Sequence, residues 1–189
     1  DINKMKWTQI PSTIHKRDHC AVVTCGRHLY AFGGFQYHYT PGMGIGYGLT
    51  KYPQNTVERL NIDTMEWEDL PPMPTKRAFC VASVCGDNII VAGGCKHDWG
   101  HGMDVVEVFN TKSLQWSTGP SMPIKSFGCA AVSMGRYMIV TGGIEVFHDS
   151  RSLDITQIYD SESGDWKVLS SKMKTGRAWH AAALLEGKQ

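Results

Sequence analysis

The sequence predicts an all-β fold made of one sheet-forming unit that is repeated along the chain. The first observation is a tryptophan that recurs 49 to 60 residues apart, as Trp7, Trp67, Trp116 and Trp166. The second is a Gly-Gly pair that begins 26 residues after each of the first three tryptophans. The third is a series of short apolar runs between Gly, Pro and Asn turn signals, which is typical of strands. Self-similarity at a fixed period indicates a repeat architecture.

Each unit contains four predicted strands. A Pro-containing loop follows each Trp, because Pro has no N–H to donate to a sheet and favours a connection. A first strand of small apolar residues comes next, at 19–24, 79–84, 128–133 and 179–184. The second strand ends at the Gly-Gly pair and covers 29–32, 89–92 and 138–141. The third strand covers 56–60, 105–109 and 156–159, and the fourth carries the Trp.

The Gly-Gly pair, an aromatic residue such as Phe109 seven positions before the Trp, and the Trp itself resemble the Kelch repeat, one blade of a β-propeller. The resemblance extends over 1–189 and implies a partial propeller with three complete four-stranded antiparallel blades plus flanking strands. The blades are expected at about 17–70, 77–119 and 126–169, with partial blades at 1–10 and 177–189. We expect the Trp residues to be core residues packed between adjacent blades. The closest likeness is to BTB–Kelch substrate adaptors, at residues 55–77.

One insertion interrupts the period. From the second glycine of the pair to the next Trp there are 33 residues in the first unit, but 22 and 23 in the others. The extra residues fall at 35–54, which contain four tyrosines and four glycines. A long irregular insertion on a rigid scaffold is usually functional or disordered. Both interpretations of this segment, a contact loop and an unspecialised insertion, stay open at this point.

A basic partner-binding face is predicted where the first strands begin. Arg17 and Arg77 lie ten residues after their Trp, Ser126 follows Lys125 at that place in the third unit, and Arg177 lies at eleven in the last. Guanidinium groups there would bind carboxylates of an acidic peptide. The aromatic and histidine residues expected to flank them include Tyr37, Tyr39, Tyr47, Trp99 and His148. The alternative is that the arginines bond loop carbonyls and hold the blades together.

The cysteines and histidines suggest no metal site or cofactor. Cys20, Cys80 and Cys129 occupy one repeat position, where Kelch proteins often have the His that only His180 keeps. We predict small buried thiols and a reducing compartment, since there is no C-x-x-C motif. A second cluster matches no known zinc spacing, so no metal is predicted there. It consists of Cys95, His97, Asp98 and His101.

Function is predicted from the resemblance and the balanced charge. A net charge of +1 argues against binding nucleic acid through bulk charge, and no apolar run is long enough for a membrane span. We expect a cytoplasmic protein-interaction module, the partner-recognising Kelch domain of a ubiquitin-ligase adaptor or scaffold, rather than an enzyme. The alternative is a Kelch-like enzyme resembling copper radical oxidases, sialic-acid mutarotases or iron-dependent specifier proteins. The isolated segment is expected to self-associate or to belong to a longer chain.

Overall fold

Three antiparallel four-stranded sheets and one two-stranded hairpin make up the part of the protein that the structure describes. The computed structural model describes residues 6–40, 48–96, 100–146 and 151–185, and of 39–40 and 48–50 only the backbone. Strands are the only regular elements within these ranges. In the described residues there is also no helix long and apolar enough to cross a bilayer. The all-β prediction is therefore confirmed.

The strands follow one another as the repeat predicts, and each sheet is one blade. Blade 1 contains β1 Ala21–Cys25, β2 His28–Phe32, β5 Val57–Asn61 and β6 Glu66–Leu70. Blade 2 contains β7 Val81–Cys85, β8 Asn88–Ala92, β9 Val106–Asn110 and β10 Gln115–Thr118. Blade 3 contains β11 Ala130–Met134, β12 Tyr137–Thr141, β13 Thr156–Asp160 and β14 Asp165–Val168. Within each blade, every strand pairs with the strand of the same blade that follows it in sequence, so β2 pairs with β5 in blade 1.

The insertion forms a β-hairpin where the sequence suggested an irregular loop. Its strands are β3 Phe35–Thr40 and β4 Gly48–Pro53, which pair antiparallel with each other and with no blade. The reason lies in the residues that border the glycines. FQYHYT is rich in aromatic residues, which favour a pleated strand. The glycine-dense centre of the insertion lies outside the described residues.

The Gly-Gly pairs connect each blade to the following one. The N–H of Gly34 donates to the carbonyl of Arg77, and Gly94 donates in the same way to Ser126, both at 2.9 Å. Gly33 and Gly34 have φ of +58° and +97°, in the region that favours glycine. A Cβ on Gly33 would stand 2.4 Å from the Arg77 carbonyl oxygen. The pair is therefore required both by its backbone conformation and by the close approach of the next blade.

Hydrophobic cores fill the spaces between blades. Phe32 and Phe109 are fully buried, and their ring centroids are 6.5 Å apart between blades 1 and 2. Ile89 and Val91 of β8 are also fully buried in this core, while Ile90 belongs to the core shared with blade 3. A central strand that is covered on both faces needs apolar residues without alternation, which is what β8 has.

The first strands begin two residues later than predicted, and the fourth one does not form. His19, Phe79 and Trp179 have φ of 54°, 56° and 57°, a left-handed conformation that interrupts an extended strand. In each blade the first strand pairs with the second strand of its own unit. Residues 179–184, predicted as a strand, form none.

The prediction of core tryptophans is wrong for Trp7 and too strong for the other three. Trp67, Trp116 and Trp166 are half-buried. Each indole N–H donates to a Pro carbonyl in the loop of the preceding unit, at 2.9 to 3.0 Å, with Pro11, Pro71 and Pro120 as acceptors. Trp7 is 98% exposed.

Candidate functional site

Arg17 lies inside blade 1 and not at its surface. Its side chain is 2% exposed and pairs with Glu58, which is 0% exposed, at 2.7 Å. The guanidinium group also donates to the carbonyl of Gly33 at 2.7 Å and to both oxygens of Thr56 at 3.1 and 3.2 Å. This side chain therefore joins the end of β2 to the start of β5, which leaves no part of it accessible to a partner's carboxylate.

Arg77 makes the equivalent contacts in blade 2. Its Nη1 donates to the carbonyls of Gly93 and Val105 at 3.0 and 2.9 Å, and its Nη2 lies 2.7 Å from Glu107 Oε2. The side chain is fully buried. The contacts of Arg17 and Arg77 are those of the second interpretation, in which arginines bond loop carbonyls. Burial is the physical reason to remove both from the surface that a partner could reach.

Ser126 is also buried, whereas the two cations near it in the predicted site are exposed. Ser126 is 0% exposed, and a Cβ on Gly102 would stand 2.7 Å from its Cα. The loop that carries Gly102 thus covers Ser126. Lys125 is 58% exposed and lies 3.9 Å from Asp104. Arg177 is exposed.

The predicted aromatic flank is only partly described. Tyr37 is exposed on β3, and its hydroxyl donates to the carboxylate of Asp18. This hydrogen bond raises the pKa of the Tyr37 hydroxyl. Tyr39 lies on the same face of the hairpin by register. Tyr47, Trp99 and His148 lie outside the described residues.

Sequence reasoning missed an aromatic cluster at the start of the first strands, formed by His19, Phe79 and Trp179. The ring centroids of His19 and Phe79 are 4.1 Å apart, and those of Phe79 and Trp179 are 4.6 Å apart. His19 and Trp179, from the first and last units, approach to 6.4 Å. The signal was available, since the three residues stand two positions after Arg17, Arg77 and Arg177.

The backbone beneath this aromatic cluster forms a chain of hydrogen bonds from unit to unit. The N–H of Phe79 donates to the carbonyl of His19 at 2.9 Å, Gly128 donates to Phe79 at 3.0 Å, and Trp179 donates to Gly128 at 2.8 Å. Gly128 occupies the equivalent position in the third unit, with φ of +64°. A left-handed residue at this position in each unit thus places the side chains of the first, second and fourth units on the same face, while Gly128 contributes none.

Polar groups border the aromatic cluster on the side of the hairpin. His19 Nε2 lies 3.2 Å from the Asp18 carboxylate that also accepts from Tyr37. Lys51 Nζ lies 5.3 Å from the Tyr37 ring centroid and 5.9 Å from that of the buried Phe35. Phe35 in turn contacts Phe79 edge to face at 5.4 Å. The cluster and the hairpin therefore form one continuous surface.

Basic residues recur beside the aromatic cluster in the sequence. Lys16, Lys76 and Lys125 stand three residues before His19, Phe79 and Gly128, and Arg177 stands two before Trp179. Lys16, Lys76 and Arg177 are exposed, and no ion pair is formed by any of them among the described residues. Asp18 is the one acidic residue among 16–19, 76–79, 125–128 and 177–179. Each member of the cluster is therefore preceded by an exposed cation.

Burial disfavours the thiolate form at the predicted cysteine position. Burial raises the pKa of Cys80 and of Cys129 to about 11, and it raises that of Cys20 in the same direction. Burial also lowers the pKa of His180, whose Nε2 lies 2.9 Å from Thr141 Oγ1. All six cysteines are free.

The second cluster with metal-ligating residue types is not assembled in the part that is described. Cys95 is fully buried and His101 is exposed, while His97 and Asp98 lie outside the described residues. Among the residues with described positions, no group of three or more His, Cys, Asp or Glu side chains could hold a metal ion.

Comparison with known proteins supports the repeat assignment. The chain is similar to the Kelch domain-containing proteins 8B of Homo sapiens and Pongo abelii, each 32% identical over 97 residues. These residues are 50% of this chain and 24% of each relative, so the matched part is about a quarter of the relatives' length. A solved structure titled "Structure of YjhT" matches with a TM-score of 0.74 and 19% identity, over 92% of this chain and 58% of that one.

A family model covers the whole chain. The model of the KLHDC2/KLHL20/DRC7 Kelch-repeats domain matches residues 1–189. The three repeated sheets, the Gly-Gly contacts between blades and the indole-to-proline hydrogen bonds are the structural counterpart of that match. The chain belongs to the Kelch-repeat family and folds as a Kelch-type β-propeller arc.

Proposed function

We propose that this chain is a protein-interaction module that binds an acidic segment of a partner protein. The proposed surface consists of the aromatic cluster and the cations around it. One observation carries the proposal: Lys16, Lys76 and Arg177 are exposed, none of them forms an ion pair with another described residue, and each stands two or three positions before a member of the aromatic cluster. Charged groups at such a rim steer an oppositely charged partner and set its register.

The contact residues in this proposal differ from those predicted from the sequence. Arg17, Arg77 and Ser126 are buried, so they act by shaping the loops that present the face. Lys125, Arg177 and Tyr37 are accessible and stay candidates, as does the hairpin that carries Tyr39. Lys16, Lys76 and Trp179 join them.

The role of substrate recognition in a ubiquitin-ligase adaptor or scaffold is the finer part of the proposal. It is supported by the family, in which Kelch domains generally mediate protein interactions. A cytoplasmic location is proposed on the same footing, and six free cysteines agree with a reducing compartment. The blade boundaries and the membership of this segment in a longer chain stay predictions.

The test uses a fluorescein-labelled nonapeptide rich in Glu and a matched nonapeptide rich in Lys. We expect the acidic peptide to bind, and to bind more weakly as salt is added, because the attraction is screened. The double variant Lys16→Glu with Lys76→Glu should weaken binding at least about tenfold. Lys112→Glu is the control, because Lys112 is exposed in the turn after β9 at the opposite end of the strands. Equal binding of both peptides, or an equal effect of Lys112→Glu, would exclude the proposed face.

A Kelch-like enzyme is the alternative function. The likeness to a solved structure at 19% identity shows the fold alone and favours neither function. Elemental analysis of the purified protein separates the two, because the oxidase and specifier-protein alternatives need copper or iron. One equivalent of either metal would favour the enzyme, and assay for sugar mutarotation would test the metal-free alternative.

A further inference from the structure

We propose that the aromatic cluster is an anchor pocket for one large apolar side chain of the bound acidic segment, with Trp179 as the main contact. This inference rests on the proposed function and names the feature that the partner must carry. The cluster is exposed although it is aromatic: Trp179 is 51% exposed, and the side chain of His19 is 41% exposed. Acidic residues of the partner would lie over the surrounding cations, and its apolar residue would lie on the rings.

Backbone strain is the first argument for this role. A bulky residue with positive φ is an outlier, and holding it in that conformation strains the backbone. Three of the four units have such a residue at this repeat position, namely His19, Phe79 and Trp179. Glycine would adopt the same conformation without strain, as Gly128 does in the third unit. The rings are therefore held on this face where the backbone alone would favour glycine.

The glycine in the third unit is the second argument, because it leaves the space that the Trp179 ring occupies. A Cβ on Gly128 would stand 2.8 Å from Cζ3 of Trp179. With no side chain there, the indole crosses the third unit and reaches Phe79 of the second. It also lies 5.7 Å from Phe127, which is fully buried beneath the surface. The half-exposed indole thus rests on a packed aromatic base and is preorganised.

The chemistry of the pocket defines the ligand. Rigid aromatic rings bury a large apolar area at a low cost in conformational entropy, which is why interface hot spots are rich in Trp and Tyr. Lys16 and Lys76 stand three positions before His19 and Phe79, and the Asp18–Tyr37–Lys51 group borders His19. A polar rim around an apolar centre is the usual anatomy of a protein interface. The fitting ligand is an acidic peptide segment with a central Phe or Leu.

The experiment measures binding of three Glu-rich nonapeptides that differ only in the central residue, which is Phe, Leu or Ala. Intrinsic tryptophan fluorescence and isothermal titration report the affinity. We expect the Phe and Leu peptides to bind at least about tenfold more tightly than the Ala peptide. Trp179→Gly should remove that difference while the salt dependence remains. His19→Gly should reduce it, and both variants should fold, since glycine suits the left-handed backbone.

Trp7→Ala is the matched control, because it removes another exposed tryptophan that precedes the first strand. It should leave all three affinities unchanged. Equal binding of the three peptides, with binding still lost in Lys16→Glu with Lys76→Glu, would overturn the anchor pocket and keep the proposed function. Binding that is insensitive to both the central residue and the charge reversal would overturn both. If Trp179→Gly unfolds, His19→Gly with the same peptides gives the answer.

Discussion

In blades 2 and 3, different side chains occupy the same two buried repeat positions, and the carbonyl of the first glycine in the Gly-Gly pair has different partners. In blade 2, Arg77 and Glu107 form a buried ion pair, and the arginine donates to the carbonyl of Gly93. Blade 3 has Ser126 and Gln157 at the two positions. There the Gln157 amide exchanges two hydrogen bonds with the backbone of Ile124, at 2.9 and 3.1 Å.

In both blades the carbonyl of the first glycine in the Gly-Gly pair accepts a side-chain hydrogen bond. In blade 3 the donor is the thiol of Cys129, whose sulfur lies 3.4 Å from the Gly142 carbonyl oxygen and 3.1 Å from Ser126 Oγ. The cation and its carboxylate are thus absent together, which avoids an uncompensated buried charge. The comparison teaches that this repeat position serves the interior of the blade. A position used for recognition would not require a matching change at a buried partner.

The largest expected effect comes from breaking the pair in blade 2. Arg77→Ala leaves Glu107 buried and unpaired, so we expect a loss of about 3–5 kcal/mol in the free energy of unfolding. Urea denaturation followed by circular dichroism measures it. The control is Arg27→Ala, which removes the arginine of an exposed ion pair with Asp63 and should leave the free energy of unfolding nearly unchanged. Similar losses in both variants would contradict a special role for the buried pair.

Trp116 of blade 2 and Trp166 of blade 3 occupy the same repeat position, but we expect them to contribute differently to stability. The Trp116 ring lies 5.0 Å from Phe109 and 6.1 Å from Phe32 of blade 1, so Trp116→Ala should cost about 3 kcal/mol. Trp166 contacts Tyr159 at 5.1 Å but borders a cavity of about 440 Å³, so Trp166→Ala should cost roughly half as much. Thermal and urea unfolding of both variants provide the comparison. Equal costs would show that the cavity does not weaken the packing of Trp166.

Transplanting the pair of blade 3 into blade 2 tests whether the two positions are coupled. Arg77→Ser alone should destabilise strongly, whereas Arg77→Ser with Glu107→Gln removes both charges and should recover part of the loss. We expect a coupling energy of about 2 kcal/mol in a double-mutant cycle. Additive losses would mean that Arg77 acts mainly through the carbonyls of Gly93 and Val105.

The smallest expected effect concerns the thiol of Cys80, which follows Arg77 in blade 2. Its pKa is raised from 9.0 to about 11 in the folded protein. The unfolded chain therefore releases this proton at a lower pH than the folded chain does, and the folded state loses stability as the pH rises from 9 towards 11. At pH 10 the loss should be about 1 kcal/mol. Urea titrations at pH 8 and pH 10 measure it, and Cys80→Ala should reduce the difference; an unchanged pH dependence in that variant would contradict the assignment.

Local spacing explains why much of the fold was predictable from the sequence. Turn glycines, loop prolines and apolar runs act over a few residues, so they defined the strands of three blades within one or two positions. The hairpin was not predicted because the dense glycines of the insertion indicate an irregular loop, whereas the aromatic residues beside them form strands. The late start of β7 was missed because a positive φ at Phe79 leaves no mark in an apolar run.

By itself the sequence determined the all-β repeat, the Kelch family and the face on which the first strands begin. Only the tertiary structure decided which side chains that face presents. Arg17 turns inward because Glu58, 41 residues later, lies beside it and outweighs the cost of burying a charge. Trp179 turns outward over Gly128, 51 positions earlier, because the absence of a Cβ leaves room for its ring. Contacts between residues so far apart depend on how the blades pack, and no local pattern encodes them.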